Sequence, residues 1–165
     1  VEEKAGLLAV FNVHDVAHAV FDDLDIGVEF VADVTPWELM KIRILNGGHA
    51  IIAYPAGLMD IHFVHEAMEN DLVRAFLRKV ENDEVIPAVP PVPNTNLQAY
   101  FAKVEERCAN PKIGDTIRRL CLDGSNRQPK FIIPSIRDNL ARGVMPLGLI
   151  LESALWFRYC AGTDE

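Results

Sequence analysis

Three polar side chains with complementary chemistry lie close together in one apolar stretch: Lys41, Asn46 and His49, which we call the polar triad. Oxidising a secondary alcohol requires a base for the hydroxyl proton and donors for the negative charge that develops on the oxygen. A lysine can act as this base when burial or a neighbouring cation lowers its pKa. Asn46 offers a neutral amide donor, and His49 can hydrogen-bond the reacting or the adjacent hydroxyl. The three residue types are therefore those that a site for alcohol oxidation would need.

A single α-helix is predicted to carry the polar triad. The segment Thr35–Glu38 forms a capping-box pattern, with Thr35 as N-cap and Pro36 at the first helical position. Apolar residues at helical spacing follow, and the helix is expected to end at residues 53–54, before Pro55. At about 100° per residue, the polar triad spans an arc of roughly 140°. The three side chains are thus expected to share one face.

Two consecutive glycines, Gly47 and Gly48, lie in the middle of this predicted helix. Each costs on the order of 1 kcal/mol relative to alanine in a helix interior. The cost is reasonable if a bulky group must approach the backbone at this point. The alternative interpretation is a buried helix whose lysine extends to solvent and whose asparagine and histidine are hydrogen-bonded core residues. Spacing alone leaves both interpretations open.

The rest of the chain is predicted to form several unlike helices with short links and no internal repeat. Their spans are about 58–69, 71–85, from 97 onward, 111–124, 129–142 and 147–161. Thr95 or Asn96 is expected to cap the third of these, and Gly124 to close the fourth. The proline run Pro87–Pro93 is predicted to be a rigid connector, whereas Gly27–Val34 alternates like a short strand. The predicted fold class is mainly all-α, a multi-helix domain with a short entrance strand.

Two groups of histidines raise the question of a metal site. His62, His65 and Glu66 lie together on a predicted helix, but their order is not the His-Glu-x-x-His order of zinc proteases. His14 and His18 are one turn apart and lack further ligands nearby, as surface histidines often do. The sequence therefore predicts no metal site.

The overall composition is typical of a globular protein. The chain has 165 residues, half of them hydrophobic, which is enough for one domain with a buried core. A formal net charge of -8 argues against binding to polyanions, so neither nucleic acid nor an anionic membrane is an expected partner. No apolar run reaches the roughly 18 residues of a membrane span, and no signal peptide is visible, so we expect a cytoplasmic protein.

The three cysteines, Cys108, Cys121 and Cys160, are odd in number and form no CxxC pair. Neither a disulfide framework nor a thiolate zinc site is therefore indicated. Because each lies in an apolar helical context, each is predicted to be a small buried hydrophobic residue.

The spacing of the polar triad matches a known signature. The polyol-specific long-chain dehydrogenases share a pattern of lysine, four residues, asparagine, two residues and histidine. Residues 35–49 resemble their mannitol 2-dehydrogenase branch. The likeness continues through six short segments: Val64–Glu66, Ala109–Pro111, Asp123–Ser125, Pro129–Phe131, Ile136–Leu140 and Trp156–Tyr159. It covers about residues 27–165, and residues 1–26 are interpreted as a divergent lead-in of uncertain role.

This resemblance implies that residues 27–165 are the C-terminal, mostly helical, substrate-binding domain of a two-domain enzyme. It implies that Lys41 is the general base, that Asn46 stabilises the oxyanion, and that His49 bonds a hydroxyl of the substrate. The family requires no metal, in agreement with the absence of a convincing ligand set in the sequence.

A polyol must also be held along its length, and cationic side chains suit rows of hydroxyl groups. The resemblance places such substrate contacts in the region of Arg119, Arg127 and Lys130. Each of these residues is alternatively a surface charge near a helix end. Arg43, in contrast, is expected to be structural.

The sequence contains no recognisable nucleotide-binding half. No Gly-x-Gly-x-x-Gly motif follows a strand, and strands and helices do not alternate along the chain. The resemblance implies that an N-terminal Rossmann domain of the same enzyme supplies this half and binds NAD or NADP. The chain alone is therefore expected to be inactive, or nearly so.

Three hypotheses about function follow from the resemblance. The first is the substrate domain of an enzyme that interconverts a polyol such as D-mannitol and a ketose such as D-fructose. The second is a hexuronate reductase of the fructuronate or tagaturonate type, which shares the signature; an additional cation for a substrate carboxylate would favour it. The third is a helical binding or assembly domain that kept the signature without catalysis.

Overall fold

The computed structural model describes residues 10–11 and 29–162, so the predicted pairing of His14 with His18 lies outside the described residues. Two short strands, β1 (Val10–Phe11) and β2 (Glu29–Phe30), pair in parallel. The strand predicted within residues 27–34 is thereby confirmed, although only two of its residues pair. The chain divides into two compact units between residues 38 and 39.

The described residues from 35 onward are mostly helical. Nine α-helices are described in this part of the chain: α1 (Thr35–Met40), α2 (Gly47–Leu58), α3 (Val64–Glu69), α4 (Asp71–Val80), α5 (Leu97–Cys108), α6 (Ile117–Cys121), α7 (Gly124–Phe131), α8 (Ile133–Ala141) and α9 (Leu147–Cys160). Two π-helical segments, Lys41–Asn46 and Glu81–Val85, and two short 3-10 helices, Ile86–Ala88 and Pro111–Ile113, complete the helical structure. The predicted all-α fold class is confirmed.

Several predicted features agree with the structure. The side chain of Asn96 accepts a hydrogen bond from the Ala99 N–H at 3.0 Å, so Asn96 rather than Thr95 is the N-cap of α5. The helix predicted over residues 71–85 forms as α4 and the π-helical segment that follows it. The proline run 87–93 contains no α-helix or strand, as expected of a connector.

The start of α1 differs from the predicted capping box by one residue. Thr35 is already helical, and its N–H donates to the carboxylate of Asp33 at 2.9 Å. The first helical hydrogen bond runs from the Glu38 N–H to the Val34 carbonyl at 3.1 Å. The capping function therefore belongs to the residues before Thr35, because Asp33 offers a carboxylate acceptor at the required distance.

Two predicted helix boundaries around residue 60 are wrong. α2 continues to Leu58 with Pro55 inside it. Proline removes one hydrogen bond, but residues 50–56 are all buried and their packing outweighs that loss. The next helix begins only at Val64, because Asp60 has a left-handed φ of 57° that ends the preceding turn.

The predicted helix at 111–124 is two separate elements. Its first turn ends at Gly114, whose φ of 63° lies in the left-handed region that favours glycine. Thr116 then caps α6 through its side-chain oxygen. Gly124 begins α7 instead of closing the helix before it, and the helix predicted at 129–142 divides between α7 and α8.

α2 lies at the centre of the larger unit, where it packs against α4, α6 and α9. The side chains of Ile51, Ile52 and Tyr54 in α2 are almost completely buried. Burial of a large apolar side chain stabilises the fold by roughly 1.5–3 kcal/mol. The core therefore holds in place the helix that follows directly after Lys41–Asn46.

α9 is less buried than its apolar sequence predicts. Four of its large apolar side chains are exposed: Leu147, Ile150, Leu151 and Phe157. Cys160 at its end is also exposed, so the prediction of a buried cysteine is wrong there, whereas Cys108 and Cys121 are buried and free. No helix in the described part of the chain has both the length and the apolar character needed to cross a membrane.

Candidate active site

Lys41 and Asn46 lie in a π-helical segment instead of the predicted α-helix. The segment joins α1 to α2, and at its end the Gly47 N–H donates to the Ile42 carbonyl, five residues earlier. Residues five apart are about one turn apart in a π-helix, whereas an α-helix separates them by roughly 140°. The π-helical segment therefore places Lys41 and Asn46 closer to one face than the sequence predicts.

The polar triad has unused hydrogen-bonding capacity. Lys41 is exposed, and Asn46 and His49 are half-buried. None of the three side chains makes a hydrogen bond or ion pair with a residue that the structure describes. The structure therefore does not show Asn46 and His49 as hydrogen-bonded core residues, which was the alternative interpretation. Their polar atoms are available to a ligand.

His49 is electrically neutral in its surroundings. Burial lowers the pKa of His49 to about 4, and the positive charge of Arg119 adds to this effect. The negative charge of Asp115 acts in the opposite direction, but it is the weaker influence. At neutral pH the imidazole therefore has one nitrogen as donor and one as acceptor, and can bond a hydroxyl in either direction.

His49 lines a cavity of about 230 Å³. Among the six predicted site residues, His49 and Arg119 line this cavity and the other four do not. Four further polar residues line it: His65, Arg107, Asn110 and Asp115. Part of the remaining wall is apolar and includes Leu45 and Val104. The structure thus brings together the last residue of the polar triad and the first of the three predicted cations.

Arg119 is paired with an acidic residue that the sequence interpretation did not single out. Its Nε donates to Asp115 Oδ1 at 2.5 Å, and its Nη2 donates to Asp115 Oδ2. The hydrogen bonds from Arg119 hold the pKa of Asp115 below its ordinary value, and the same contact raises the pKa of Arg119. The two residues are four apart, and that spacing is the signal by which the pair could have been predicted.

The other predicted cations lie away from the cavity. Arg127 is half-buried, and its Nη1 donates to the Leu120 carbonyl at 2.9 Å. Lys130 is exposed on α7 and makes no hydrogen bond with a described residue. Arg43, expected to be structural, is buried; it donates to the Ala88 carbonyl at 2.8 Å and pairs with Asp138.

The group that approaches the glycine pair is part of the protein. A methyl group added at Gly48 would lie 3.1 Å from Glu81 Oε1 and 3.7 Å from the Leu77 side chain. At Gly47 the nearest atom would be the Phe131 carbonyl oxygen, at 3.6 Å. The bulky group that was expected to approach the glycines is therefore, at Gly48, the side chain of Glu81. Glu81 is a buried residue of the second π-helical segment.

The histidines considered as metal ligands make aromatic contacts. His62 packs edge-to-face on Phe63 with ring centroids 4.4 Å apart, and His65 stacks on the same ring at 5.4 Å. Within residues 10–11 and 29–162, no group of three or more His, Cys, Asp or Glu side chains is arranged to hold a metal ion.

Comparison with known proteins agrees with the sequence resemblance. Residues 33–165 match the family model of the mannitol dehydrogenase C-terminal domain. The chain is 62% identical to mannitol 2-dehydrogenase of Cereibacter sphaeroides over 140 residues, which is 85% of this chain and 29% of that protein. It is 36% identical to mannitol 2-dehydrogenase of Aspergillus oryzae over 163 residues, which is 99% of this chain and again 29% of that protein.

Solved structures show the same relationship. The Pseudomonas fluorescens mannitol 2-dehydrogenase ternary complex with NAD and D-mannitol matches with a TM-score of 0.80 and 39% identity, over 85% of this chain and 28% of that one. A substrate-free D-sorbitol dehydrogenase matches with a TM-score of 0.80 and 28% identity, over 85% of this chain and 29% of that one. The chain thus spans less than a third of the length of these relatives. It belongs to the mannitol dehydrogenase C-terminal domain family, which confirms the predicted resemblance.

Proposed function

We propose that this chain is the substrate-binding and catalytic C-terminal domain of an NAD(P)-dependent polyol dehydrogenase. Its reaction interconverts D-mannitol, or a related polyol, and D-fructose, or a related ketose. The observation that carries the proposal is the polar triad, whose three side chains make no hydrogen bond with a described residue and whose His49 lines a cavity. The names of the relatives, and the NAD and D-mannitol bound by the Pseudomonas fluorescens enzyme, support this choice.

Lys41 is the proposed general base that removes the hydroxyl proton as the alcohol is oxidised. An amine acts in this way when it is removed from water, yet Lys41 is exposed in the described part of the chain. The proposal therefore requires another part of the complete enzyme, or the bound substrate, to cover Lys41. Its place in a π-helical segment, a conformation frequent at functional sites, is consistent with this role.

Asn46 and His49 are the proposed donors to the substrate oxygens. The Asn46 side-chain amide can donate to the oxygen that gains negative charge in the transition state. Neutral His49, which lies in the first turn of α2 and lines the cavity with Arg119, can bond the reacting or the adjacent hydroxyl. Neither side chain would have to break a hydrogen bond to a described residue before binding substrate.

Of the three cations predicted to bind substrate, Arg119 is the one whose position at the cavity supports that role. It lines the cavity with His49, and its side chain is 54% exposed, so N–H groups remain for hydroxyls. Arg127 and Lys130 do not line this cavity. Their proposed contacts are therefore with a part of the substrate outside it.

The nicotinamide is proposed to bind to a part of the enzyme outside this chain. The described residues include no glycine-rich turn between a strand and a helix, which is the structure that holds a dinucleotide pyrophosphate. When bound, the nicotinamide supplies the hydride acceptor for alcohol oxidation. The described residues do not fit this group, so this domain's proposed share is substrate binding, proton removal and stabilisation of the oxyanion.

A hexuronate reductase is the second candidate, and one observation favours it. Arg107 lines the same cavity as Arg119 and forms no ion pair with a described residue. An unpaired cation beside the substrate site suits a carboxylate. A keto-uronate such as fructuronate or tagaturonate would supply that carboxylate, whereas fructose would not.

The proposal is tested by following nicotinamide oxidation with D-fructose and with D-fructuronate. The assay is run on this chain and on the complete enzyme that carries it, with and without a chelator. We expect the complete enzyme to reduce D-fructose, the chain alone to be inactive, and the chelator to have no effect. Activity on the keto-uronate but not on fructose would select the reductase. No activity on either substrate, together with unchanged ligand binding after Lys41→Ala, would indicate a non-catalytic domain.

A further inference from the structure

We propose that Asp115 is a positioning residue, which holds the Arg119 guanidinium at the cavity so that its remaining N–H groups meet the substrate hydroxyls. The inference rests on the proposed function, in which Arg119 contacts a polyol or ketose. It adds a residue, Asp115, that neither the sequence signature nor the polar triad includes. Both residues line the 230 Å³ cavity beside His49.

Asp115 is itself firmly anchored. Its carbonyl accepts a hydrogen bond from the Val64 N–H at 3.0 Å, next to an antiparallel bridge between Phe63 and Thr116. Its carboxylate oxygen Oδ1 accepts from the Thr116 N–H at 2.9 Å. The side chain is 18% exposed. Hydrogen bonds therefore fix both the backbone and the carboxylate of Asp115 independently of its contact with Arg119. A residue that supports another side chain must be fixed in this way.

Arg119 depends on this support for its orientation. Its backbone N–H donates to Thr116 Oγ1 at 3.3 Å, and its Nε and Nη2 donate to the two carboxylate oxygens of Asp115. A guanidinium has five N–H groups, so this fork leaves the others free. Those others form no hydrogen bond with a described residue, and the side chain is 54% exposed. Asp115 thus fixes the orientation of Arg119, so the remaining N–H donors of the guanidinium are held at the cavity.

The pair also has a consequence for charge. An ionised carboxylate against the guanidinium offsets its positive charge, so the pair offers directed donors with little net charge. Such donors suit the hydroxyls of a neutral sugar. Without Asp115, Arg119 would become a mobile, uncompensated cation, which would have to be ordered each time substrate binds.

The experiment is a double-mutant cycle in the complete enzyme, with D-fructose as the varied substrate. The variants are Asp115→Asn, which keeps the shape but removes the charge, Arg119→Ala, and both together. Asp83→Asn is the matched control, because Asp83 also forms an ion pair with a basic residue four positions away, Lys79, and does not line the cavity. Urea unfolding of each variant measures any change in stability.

We expect Asp115→Asn to raise KM roughly 10-fold with kcat changed less than about 3-fold, and to add nothing further when Arg119 is already alanine. Asp83→Asn should leave both constants unchanged. If Asp115→Asn raises KM equally with and without Arg119, its role is structural and the inference is wrong. If Arg119→Ala raises KM but Asp115→Asn does not, the inference fails while the proposed function stands.

Two further outcomes are distinguishable from these. If Arg119→Ala leaves KM unchanged, Arg119 is not a substrate contact, and both the proposed contact and the role of Asp115 are overturned. If Asp115→Asn does not fold, the same cycle is run with Asp115→Glu, which keeps the charge but moves the carboxylate by one methylene. That variant is expected to raise KM less than roughly 10-fold and only in the presence of Arg119, and additivity would again contradict the inference.

Discussion

The two π-helical segments use the same backbone conformation for different purposes. Lys41–Asn46 carries two residues of the polar triad, and these side chains make no hydrogen bond with a described residue. Glu81–Val85 carries Glu81 and Glu84, whose side chains are buried. The first segment leads into the central helix α2, and the second ends in a 3-10 turn.

The buried carboxylates of the second segment have structural surroundings. Glu84 accepts hydrogen bonds from the N–H groups of Gly148 and Leu149, both at 2.8 Å, and so caps the start of α9. Glu81 has no hydrogen-bond partner among the described residues and lies against Gly48. A π-helical segment is therefore not by itself a sign of an active site. What distinguishes the two is whether their polar side chains point into the core or remain available to a ligand.

The largest expected effect concerns the first segment. Lys41→Ala in the complete enzyme should lower turnover at least about 100-fold, in line with the usual contribution of a general base. Its urea unfolding should be unchanged, because Lys41 is exposed. Lys112→Ala, a substitution of another exposed lysine, is the control and should leave turnover unchanged. Unchanged turnover in Lys41→Ala would remove Lys41 from the role of base.

Asn46→Ala should give the next largest effect. We expect turnover to fall roughly 10- to 100-fold with a smaller change in KM, because the amide bonds an oxygen that becomes charged only in the transition state. Steady-state kinetics with D-fructose measures both constants. A rise in KM alone would show that Asn46 binds the ground state and does not stabilise the oxyanion.

In the second segment the expected effects are on stability instead of turnover. Burial raises the pKa of Glu81 well above its ordinary value of 4.5, so the native state retains a proton that the unfolded state releases. The contribution of Glu81 to the free energy of unfolding is therefore greatest below about pH 4.5. It decreases as the pH rises toward the folded-state pKa. Glu81→Gln resembles the protonated form and cannot lose that proton.

The stability of wild-type chain and Glu81→Gln should therefore diverge as the pH rises. The difference should grow by up to about 1.4 kcal/mol per pH unit in favour of the variant. Urea unfolding at pH 5, 6, 7 and 8 measures it. Parallel curves would show that the pKa of Glu81 is not raised in the native state.

Glu84→Gln should have the smallest effect, a loss of about 1 kcal/mol. The variant keeps one oxygen acceptor for the start of α9 but replaces the other with a donor, which cannot bond a second N–H. Urea unfolding at pH 7 measures the loss, and turnover in the complete enzyme should be unaffected. A fall in turnover with unchanged stability would contradict the distinction between the two segments.

Local sequence determined much of the helical structure. Asn96 caps α5 because its side chain can accept from the Ala99 N–H within the same turn, which requires no distant contact. α9 begins at Leu147, the residue that the pattern predicts. The spacing of the polar triad identified the family, because that signature is contained in one short segment.

The tertiary structure alone decided the π-helical segments, the continuation of α2 past Pro55 and the position of Asp115 at the cavity. Each depends on groups far apart in the sequence. Glu81 packs against Gly48, buried neighbours hold Pro55 in a helix, and Asp115 is anchored by Val64. Local propensity and periodicity describe neighbours within about one turn, so they cannot report contacts of this kind. Sequence therefore determined which residues could carry the chemistry, and packing determined which of them meet at the cavity.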